Sequence, residues 1–135
     1  MYLLDTNIIL ELLLDQDRAA EVERFLRTTP PGRLYFSEFS LYSLGIILFR
    51  HGRHDAFDQI VRDLFVTDRV RLVRLGTTEI QDTARMARQH NLDFDDAYQY
   101  AVAEMHRLAI VSFDGDFDRT DRGRVTPVEA MAGQG

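Results

Sequence analysis

The stretch YLLDTN, residues 2–7, contains a short apolar run that stops at an acid, Asp5. Comparable apolar runs bounded by polar residues follow at residues 34–36, 70–75, 109–111 and 124–126. Runs of this kind are typical of strands that are buried on both faces, as in a parallel sheet. The sequence therefore predicts five short strands, the first of which ends at Asp5.

Helical periodicity fills the segments between these runs. The predicted helices cover residues 18–27, 38–50, 55–65, 78–90 and 93–107, and a last helix opens at Thr126. Thr78 and Gln81 match the capping-box pattern that begins a helix. Thr126 and Glu129 repeat it. Strands that alternate with helices predict an α/β fold with helices on both faces of the sheet, and residues 1–135 are predicted to form a single domain.

The composition excludes several classes of protein. The chain has no cysteine, which excludes disulfides and thiolate metal sites, and no lysine, which excludes a catalytic lysine. Its formal net charge of −6 disfavours passive binding to a polyanion, which depends on Lys and Arg neutralising phosphates. The first residues lack the basic region of a signal peptide, and no apolar run is long enough to span a bilayer. We therefore expect a cytoplasmic protein without a membrane segment.

Polar side chains follow three of the predicted strands. They are Asp5 after the first strand, Ser37 and Glu38 after the second, and Asp114 and Asp116 after the fourth. In open α/β sheets, ligands bind beyond the carboxyl ends of the strands. The predicted topology therefore brings acids that are far apart in the sequence to one edge of the sheet.

Asp5-Thr6-Asn7 has two interpretations that the sequence alone does not separate. Asp, Thr and Asn all cap helices well, so Asp5 can simply open a helix. Alternatively, Asp5 is a functional acid at the edge of the sheet, held in position by Thr6 and Asn7.

A second acidic group lies in DFDD, residues 93–96. Asp93 is predicted to cap the following helix and Asp95 to face solvent, since acids near a helix N-terminus are stabilised by the helix dipole. Asp96 precedes Ala97 and is predicted to point toward the packed side of the helix. A carboxylate there needs a partner, which favours a functional role for Asp96.

The acidic run that starts at Asp114 has its own alternatives. An EF-hand loop starting there needs glycine at its sixth position and glutamate at its twelfth, but Arg119 and Val125 stand at those positions. The EF-hand interpretation therefore fails. Asp118 and Asp121, which have arginines beside them, are predicted to lie in a solvated loop.

Three blocks of the sequence together resemble the PIN-domain family: LLDTNIIL at residues 3–10, DFDDAYQYAVA at 93–103 and AIVSFDGDF at 109–117. Their order and spacing match over nearly the whole chain, and the small family members that it resembles are typically toxins of VapBC-type toxin–antitoxin pairs. The resemblance implies a three-layer α/β/α sandwich with a mostly parallel five-stranded sheet. It also implies a metal-dependent endoribonuclease that hydrolyses RNA with Mg²⁺ or Mn²⁺.

The resemblance also assigns the site residue by residue. The residues that match the family's catalytic acids and metal ligands are Asp5, Asp96 and Asp114. Asp116 is the adjoining acid that family members often add as a further ligand. The residues that match the positions supporting these ligands are Thr6, Asn7 and Ser112. Ser112 stands where threonine is usual.

One position departs from the family pattern. The family usually carries a glutamate inside the third helix, and Ser43 stands there instead. The nearest acid, Glu38, lies five residues earlier, about 140° away around a helix, so it cannot simply substitute. The alternative to a nuclease is therefore a catalytically weak or inactive PIN-like module that binds RNA or protein. A nuclease without this glutamate is expected to hold a single well-ordered metal ion.

The helix predicted at residues 38–50 is apolar almost all round. One interpretation is a central core helix. The other is a surface that binds a second copy or an antitoxin, because exposed apolar patches mark interfaces. By resemblance, the expected partners are an RNA substrate, an antitoxin protein and a second copy in a homodimer.

Overall fold

Four parallel strands form one sheet in the computed structural model, which describes residues 1–134. The strands are β1 (Tyr2–Leu4), β2 (Leu34–Ser37), β3 (Arg71–Val73) and β4 (Ala109–Val111), and their order in the sheet is β3-β2-β1-β4. The α/β class predicted from the sequence is confirmed, and so is the parallel arrangement. Gly135, the last residue of the predicted domain, lies outside the described residues.

The predicted fifth strand at residues 124–126 does not form, so the expectation of a five-stranded sheet is wrong for the described chain. Val125 makes only an isolated parallel bridge to Val111. The chain then leaves the sheet, because Thr126 is already the N-cap of the last helix and Pro127 is its first residue. Pairing at this edge therefore stops after one residue.

Helices cover both faces of the sheet. They are α1 (Thr6–Leu13), α2 (Ala19–Thr28), α3 (Glu38–Arg50), α4 (His54–Ile60), α5 (Thr77–Ile80), α6 (Asp82–His90), α7 (Phe94–His106) and α8 (Pro127–Gly133). A π-helical turn (Val61–Val66) extends α4, and a 3-10 turn (Gly115–Arg119) follows β4. The helices predicted at 18–27, 38–50 and 93–107 are confirmed to within one residue at each end. No helix among residues 1–134 is long and apolar enough to cross a membrane.

The two predicted capping boxes have different outcomes. Thr126 and Glu129 form theirs: the Thr126 hydroxyl accepts from the Glu129 N–H at 3.3 Å, and the Glu129 carboxylate accepts from the Thr126 N–H at 3.1 Å. The box predicted at Thr78 and Gln81 is wrong. Helix α5 already begins at Thr77 without a side-chain cap, so Thr78 lies inside its first turn and Gln81 separates α5 from α6.

Hydrophobic side chains pack on both faces of the sheet. Leu4 faces one side, where it packs with side chains of α1, α2 and α3. The neighbouring Leu3 faces the other side, where it packs against α7. Both leucines are fully buried, as the alternation along a strand between two helical layers requires. The three-layer α/β/α arrangement implied by the resemblance is thereby confirmed.

Helix α3 is not the central core helix that one interpretation of its sequence suggests. Leu44 and Leu48 are fully buried. Tyr42, Ile46 and Phe49, however, are 62%, 53% and 51% exposed. Their spacing places these three side chains on one stripe of the helix. Helix α3 therefore has a buried face and a second apolar face that is open to solvent.

The order of the strands creates a crevice at one edge of the sheet. β1 lies between β2 and β4, so the chain moves to one side of β1 for β2 and to the other side for β4. Because these strands are parallel, Asp5, Ser37 and Ser112 emerge at the same edge. Such a reversal of strand order is where ligands bind in open α/β sheets.

Candidate metal centre

Asp5 is both a helix cap and a member of an acidic cleft, so the two interpretations of DTN coexist. It is the N-cap of α1, and its Oδ1 accepts from the Thr6 N–H at 2.8 Å. Its Oδ2 accepts from the Ser112 hydroxyl at 2.6 Å and from the Asn7 side-chain amide at 3.3 Å. Asp5 is 8% exposed, so these donors satisfy a carboxylate that is largely removed from water.

Asn7 and Ser112 tie the end of β1 to the end of β4. The Asn7 amide donates to the Ser112 hydroxyl at 3.2 Å, and its oxygen accepts from the Phe113 N–H at 3.2 Å. Ser112 in turn accepts from the Asp114 N–H at 2.9 Å. The residues predicted to support the site therefore belong to one hydrogen-bonded network, which orients Asp5 and the backbone that follows β4.

Three carboxylates converge in the cleft, and the predicted ligand Asp5 lines the same cleft without belonging to this group. One oxygen from each of Asp96, Asp114 and Asp116 lies within 4.8 Å of the others. Asp96 comes from the first turn of α7, whereas Asp114 and Asp116 come from the cap and first turn of the 3-10 segment after β4. Carboxylate oxygens at this separation suit a divalent cation that prefers hard oxygen ligands.

Burial and crowding raise the pKa of the two most buried acids. Burial, followed by the negative charges of Asp93 and Asp114, raises the pKa of Asp96 to about 7. Burial also raises the pKa of Asp5, although the hydrogen bond from Ser112 opposes that shift. Near neutral pH Asp96 is therefore only partly ionised, and a divalent cation bound there would favour its ionised form.

An open cleft of about 230 Å³ joins these side chains at the carboxyl edge of the sheet. Its charged lining residues are Asp5, Asp95, Asp96 and Asp114. No arginine or histidine of the described chain lines this cleft, so no side chain there balances the negative charge. Because the donor set is all oxygen and the charge is unbalanced, the cleft fits a divalent cation such as Mg²⁺ or Mn²⁺.

The family model of the PIN domain matches residues 2–123, a span that includes every acid of the cleft. The chain belongs to the PIN domain family. No curated protein sequence matches it. The membership therefore rests on the family model, and the fold described above agrees with it.

Solved structures have the same fold as this PIN domain. The sarcin–ricin loop cleaving toxin VapC20 of Mycobacterium tuberculosis is 21% identical with a TM-score of 0.75, over 87% of this chain and 93% of that chain. A toxin–antitoxin complex from Klebsiella pneumoniae is 21% identical with a TM-score of 0.72, over 94% and 98% of the two chains. FitAcB from Neisseria gonorrhoeae is 21% identical with a TM-score of 0.72, over 95% and 99%. At this level of identity the likeness establishes the fold.

The position at which PIN domains usually carry a helix glutamate has no acid here. Ser43 lines the cleft from α3, as expected for that position. Glu38, the nearest acid, is the first residue of α3, is half-buried and is not among the residues that line the cleft. Glu38 therefore does not replace the missing carboxylate.

Three polar residues line the PIN-domain cleft without being assigned to it by sequence patterns: Asp95 and Gln99 on α7, and Ser40 on α3. Gln99 is 2% exposed and Ser40 is 1% exposed. The Gln99 amide atoms and the Ser40 hydroxyl make no hydrogen bond of ordinary geometry among the described residues, although the Gln99 amide lowers the pKa of Asp5 as a donor. A sequence signal for Gln99 does exist: it follows Asp96 by three positions within an otherwise apolar stretch, so the two residues share a helix face.

The loop that follows the cleft agrees only in part with the prediction of a solvated, arginine-balanced segment. Asp118 pairs with Arg124 at 3.2 Å, as predicted. Asp121 is exposed, as predicted, but the neighbouring Arg122 pairs with Glu104 of α7 at 3.0 Å. The loop is thus anchored by arginines: Arg122 also donates to the Leu108 carbonyl, and Arg124 to the Ser112 carbonyl.

Proposed function

We propose that this PIN domain is a metal-dependent endoribonuclease and the toxin of a toxin–antitoxin pair. The observation that carries the proposal is the convergence of the carboxylates of Asp96, Asp114 and Asp116. Buried Asp5 lies beside them, in a cleft to which the described residues contribute no basic side chain. Carboxylates so close together repel one another unless a cation neutralises them.

Asp5, Asp96 and Asp114 are the proposed ligands of a Mg²⁺ or Mn²⁺ ion, and Asp116 adjoins them. Asp116 is the weaker ligand because its carboxylate also pairs with Arg119 at 3.4 Å. A divalent cation in the cleft supplies Lewis acidity, which polarises a phosphodiester and makes a water molecule more acidic. With Ser43 in place of a glutamate, one well-ordered cation is expected.

Hydrogen bonds to Asp5 and the raised pKa of Asp96 suit the cleft to binding a cation. Ser112 and Asn7 hold Asp5 by its Oδ2, so this carboxylate is oriented before a ligand arrives. Asp96, whose pKa is raised to about 7, exchanges a proton for the cation. The acidic walls repel an RNA phosphate until that exchange has taken place. Cation binding is therefore expected to precede RNA binding.

Cleavage of a structured RNA by the purified protein, with Mn²⁺ or with a chelator, is the direct test. We expect cleavage only with the cation. Asp5→Asn and Asp96→Asn should each lower the rate of RNA cleavage by at least about 100-fold, the scale typical of removing an electrostatic catalytic group. Asp82→Asn on α6, whose carboxylate lies 3.7 Å from Arg85, is the matched control outside the cleft. Intact cleavage by either cleft variant in a clean preparation would overturn the assignment.

Calorimetry separates the nuclease from an inactive module that binds RNA or protein. The nuclease is expected to bind Mn²⁺ in a manner that depends on Asp5. An inactive module with the same fold would show no such binding, and that result would replace the nuclease proposal.

The exposed apolar face of α3 is the proposed surface for an antitoxin segment and for a second copy in a cytoplasmic homodimer. Tyr42, Ile46 and Phe49 line a shallow groove together with Phe57 of α4. Gly45 keeps the two helices close, since a Cβ at that position would lie 3.3 Å from the Phe57 ring. The Klebsiella pneumoniae structure of the same fold is a toxin–antitoxin complex, which supports a protein partner.

A further inference from the structure

Gln99 carries a buried amide whose oxygen lacks a partner in the described chain. It lies on α7 between the buried side chains of Tyr98 and Tyr100 and is 2% exposed. Both its amide nitrogen and its amide oxygen are fully buried, and neither makes a hydrogen bond of ordinary geometry within residues 1–134. Buried polar groups of native proteins are almost always paired. The partner of the amide oxygen is therefore expected to be something that the polypeptide does not supply.

The Gln99 side chain faces the acids of the cleft. It follows Asp96 by about one helical turn on the same face of α7, and both residues line the cleft with Asp5 and Asp114. The Gln99 amide acts on the Asp5 carboxylate as a hydrogen-bond donor outside the ordinary geometry and so lowers the pKa of Asp5, whereas the amide oxygen has no partner among residues 1–134. The missing partner therefore belongs among the acids rather than in the hydrophobic core.

The wall of the cleft formed by α3 lacks a carboxylate. Ser43 lies there in place of the family's glutamate, and its hydroxyl reaches less far than a glutamate carboxylate. Ser40, one turn earlier on the same helix, presents a buried hydroxyl that is also unpaired among the described residues. The Ser40 hydroxyl and the Gln99 amide oxygen therefore both have unused hydrogen-bonding capacity, and both residues line the cleft.

We propose that Gln99 is a neutral ligand of the cation site, which binds the divalent cation or one of its waters through the amide oxygen and takes over part of the role of the absent glutamate. This inference rests on the proposed function, because it requires a cation in the cleft. Amide oxygens are hard ligands that Mg²⁺, Mn²⁺ and Ca²⁺ accept. A neutral ligand also adds no further repulsion to a cluster of acids.

Mn²⁺ titration by calorimetry tests the proposal, at a pH above the Asp96 pKa of about 7. Gln99→Met keeps the side-chain length and removes the amide, and Gln89→Met makes the same change at an exposed position of α6. We expect Gln99→Met to weaken Mn²⁺ binding by about 10- to 100-fold, the usual effect of losing a group that supports a metal site. Gln89→Met should bind as the wild type does.

The outcomes separate this inference from the proposed function. Wild-type affinity in Gln99→Met overturns the inference and leaves the nuclease proposal standing. Absence of Mn²⁺ binding in the wild-type protein overturns the nuclease proposal itself.

Thermal unfolding distinguishes a ligand from a structural glutamine. Without cation, Gln99→Met should melt at the same temperature as the wild type or higher, because the variant removes a buried amide oxygen that has no partner. With saturating Mn²⁺, the wild type should gain more in melting temperature than the variant. A lower melting temperature without cation, combined with an undiminished gain from Mn²⁺, would identify a purely structural role and overturn the proposal.

A second substitution tests whether the two positions serve the same cation. Ser43→Glu restores the usual carboxylate on α3, so Ser43→Glu in the Gln99→Met background should recover the Mn²⁺ affinity. A double variant as weak as Gln99→Met would show that Gln99 does not stand in for the absent glutamate.

Discussion

Ser112 is the residue through which the acids of the cleft share one network. Its buried hydroxyl donates to Asp5 at 2.6 Å and accepts from the Asp114 N–H at 2.9 Å. The acid that follows β1 and the acid that follows β4 are thereby held by a single side chain. A substitution of Ser112 is therefore expected to disturb the positions of both Asp5 and Asp114.

We expect Ser112→Ala to weaken Mn²⁺ binding by about tenfold or more. The reason is that Asp5 loses the hydrogen bond that holds its Oδ2 and lowers its pKa. Ser112→Thr keeps the hydroxyl and should bind as the wild type does. Calorimetry on the three proteins measures the effect, and equal affinity in the alanine variant would mean that the hydroxyl does not orient the ligand.

The raised pKa of Asp96 makes the stability of the cation-free protein depend on pH. The folded chain keeps the Asp96 proton up to about pH 7, whereas an ordinary aspartate releases it near 3.8. The folded state thus binds more protons between these values, and the free energy of unfolding falls as pH rises through them. We expect the melting temperature without cation to be higher near the lower end of this window than above it.

Two controls accompany the pH experiment. Asp96→Asn should remove much of the dependence, since its amide does not titrate, and saturating Mn²⁺ should stabilise the wild type most at the upper end, where the acids are ionised. A cation-free wild type that becomes more stable from pH 4 to about pH 8 would contradict the assignment of a raised pKa to Asp96.

Sequence reasoning places Asp5, Asp96 and Asp114 in the site, whereas for Gln99 it gives only a shared helix face with Asp96 and no role. Asp5 and Asp114 follow strands, and parallel strands present their carboxyl ends at one edge. Asp96 follows a capping aspartate, so the register of a helical turn predicts its direction. A role for Gln99, by contrast, depends on the absence of a carboxylate at Ser43 across the cleft. This is a relation between two helices, which the sequence of neither helix shows.

At the scale of an element, α7 presents its acid because Asp93 fixes the first turn. The Asp93 Oδ1 accepts from the Asp96 N–H at 3.1 Å. The charge of Asp93 also raises the pKa of Asp96. One side chain thus stabilises the helix and opposes ionisation of the acid three positions later.

We expect Asp93→Ala to lower the free energy of unfolding by about 1 kcal/mol, the usual contribution of an N-cap. Asp93→Ser keeps an acceptor and should restore most of that stability without the negative charge. Both variants should lower the pKa of Asp96, so Mn²⁺ binding should persist to lower pH. Chemical denaturation and calorimetry at several pH values measure the two effects, and an alanine variant as stable as the wild type would contradict the capping role.

Secondary-structure elements are predicted correctly where the apolar pattern is long. The prediction fails where the segment is short and adjacent residues determine its structure. The helices at 38–50 and 93–107 have enough apolar residues for their period to be unambiguous. The segment at 124–126 is too short for its pattern to separate a strand from a single bridge, and the proline that follows ends the pairing. Thr78 matches the capping-box pattern, but the helix already begins one residue earlier, at Thr77.

At the scale of the whole molecule, α3 separates an acidic cleft from an apolar surface. Ser43 and Ile47 line the cleft, whereas Tyr42, Ile46 and Phe49 line the groove on the exposed side. A partner that binds the groove would therefore contact the helix that forms one wall of the cleft.

The prediction that residues 1–135 form a single domain stays a prediction, which limited proteolysis can test.

We expect the wild-type protein to be a dimer at micromolar concentration and Ile46→Glu to be a monomer, because a charge in a buried apolar contact is costly. Met105→Glu, on α7, changes an apolar side chain that is 48% exposed and should leave the dimer intact. Light scattering measures the mass of each. A wild-type protein that is monomeric at this concentration, with no partner, would count against the homodimer. Unchanged Mn²⁺ affinity in Ile46→Glu would show that the variant is folded.

The hydrogen bond between Asn7 and Ser112 joins residues 105 positions apart in the chain. During synthesis the first strand leaves the ribosome early, but it cannot pair with β4 until residues 109–111 have also emerged. A nascent chain therefore lacks the assembled acidic cleft for most of its elongation. Chains truncated just before Ala109 should accordingly bind no Mn²⁺, and stalled nascent chains of that length should not cleave RNA.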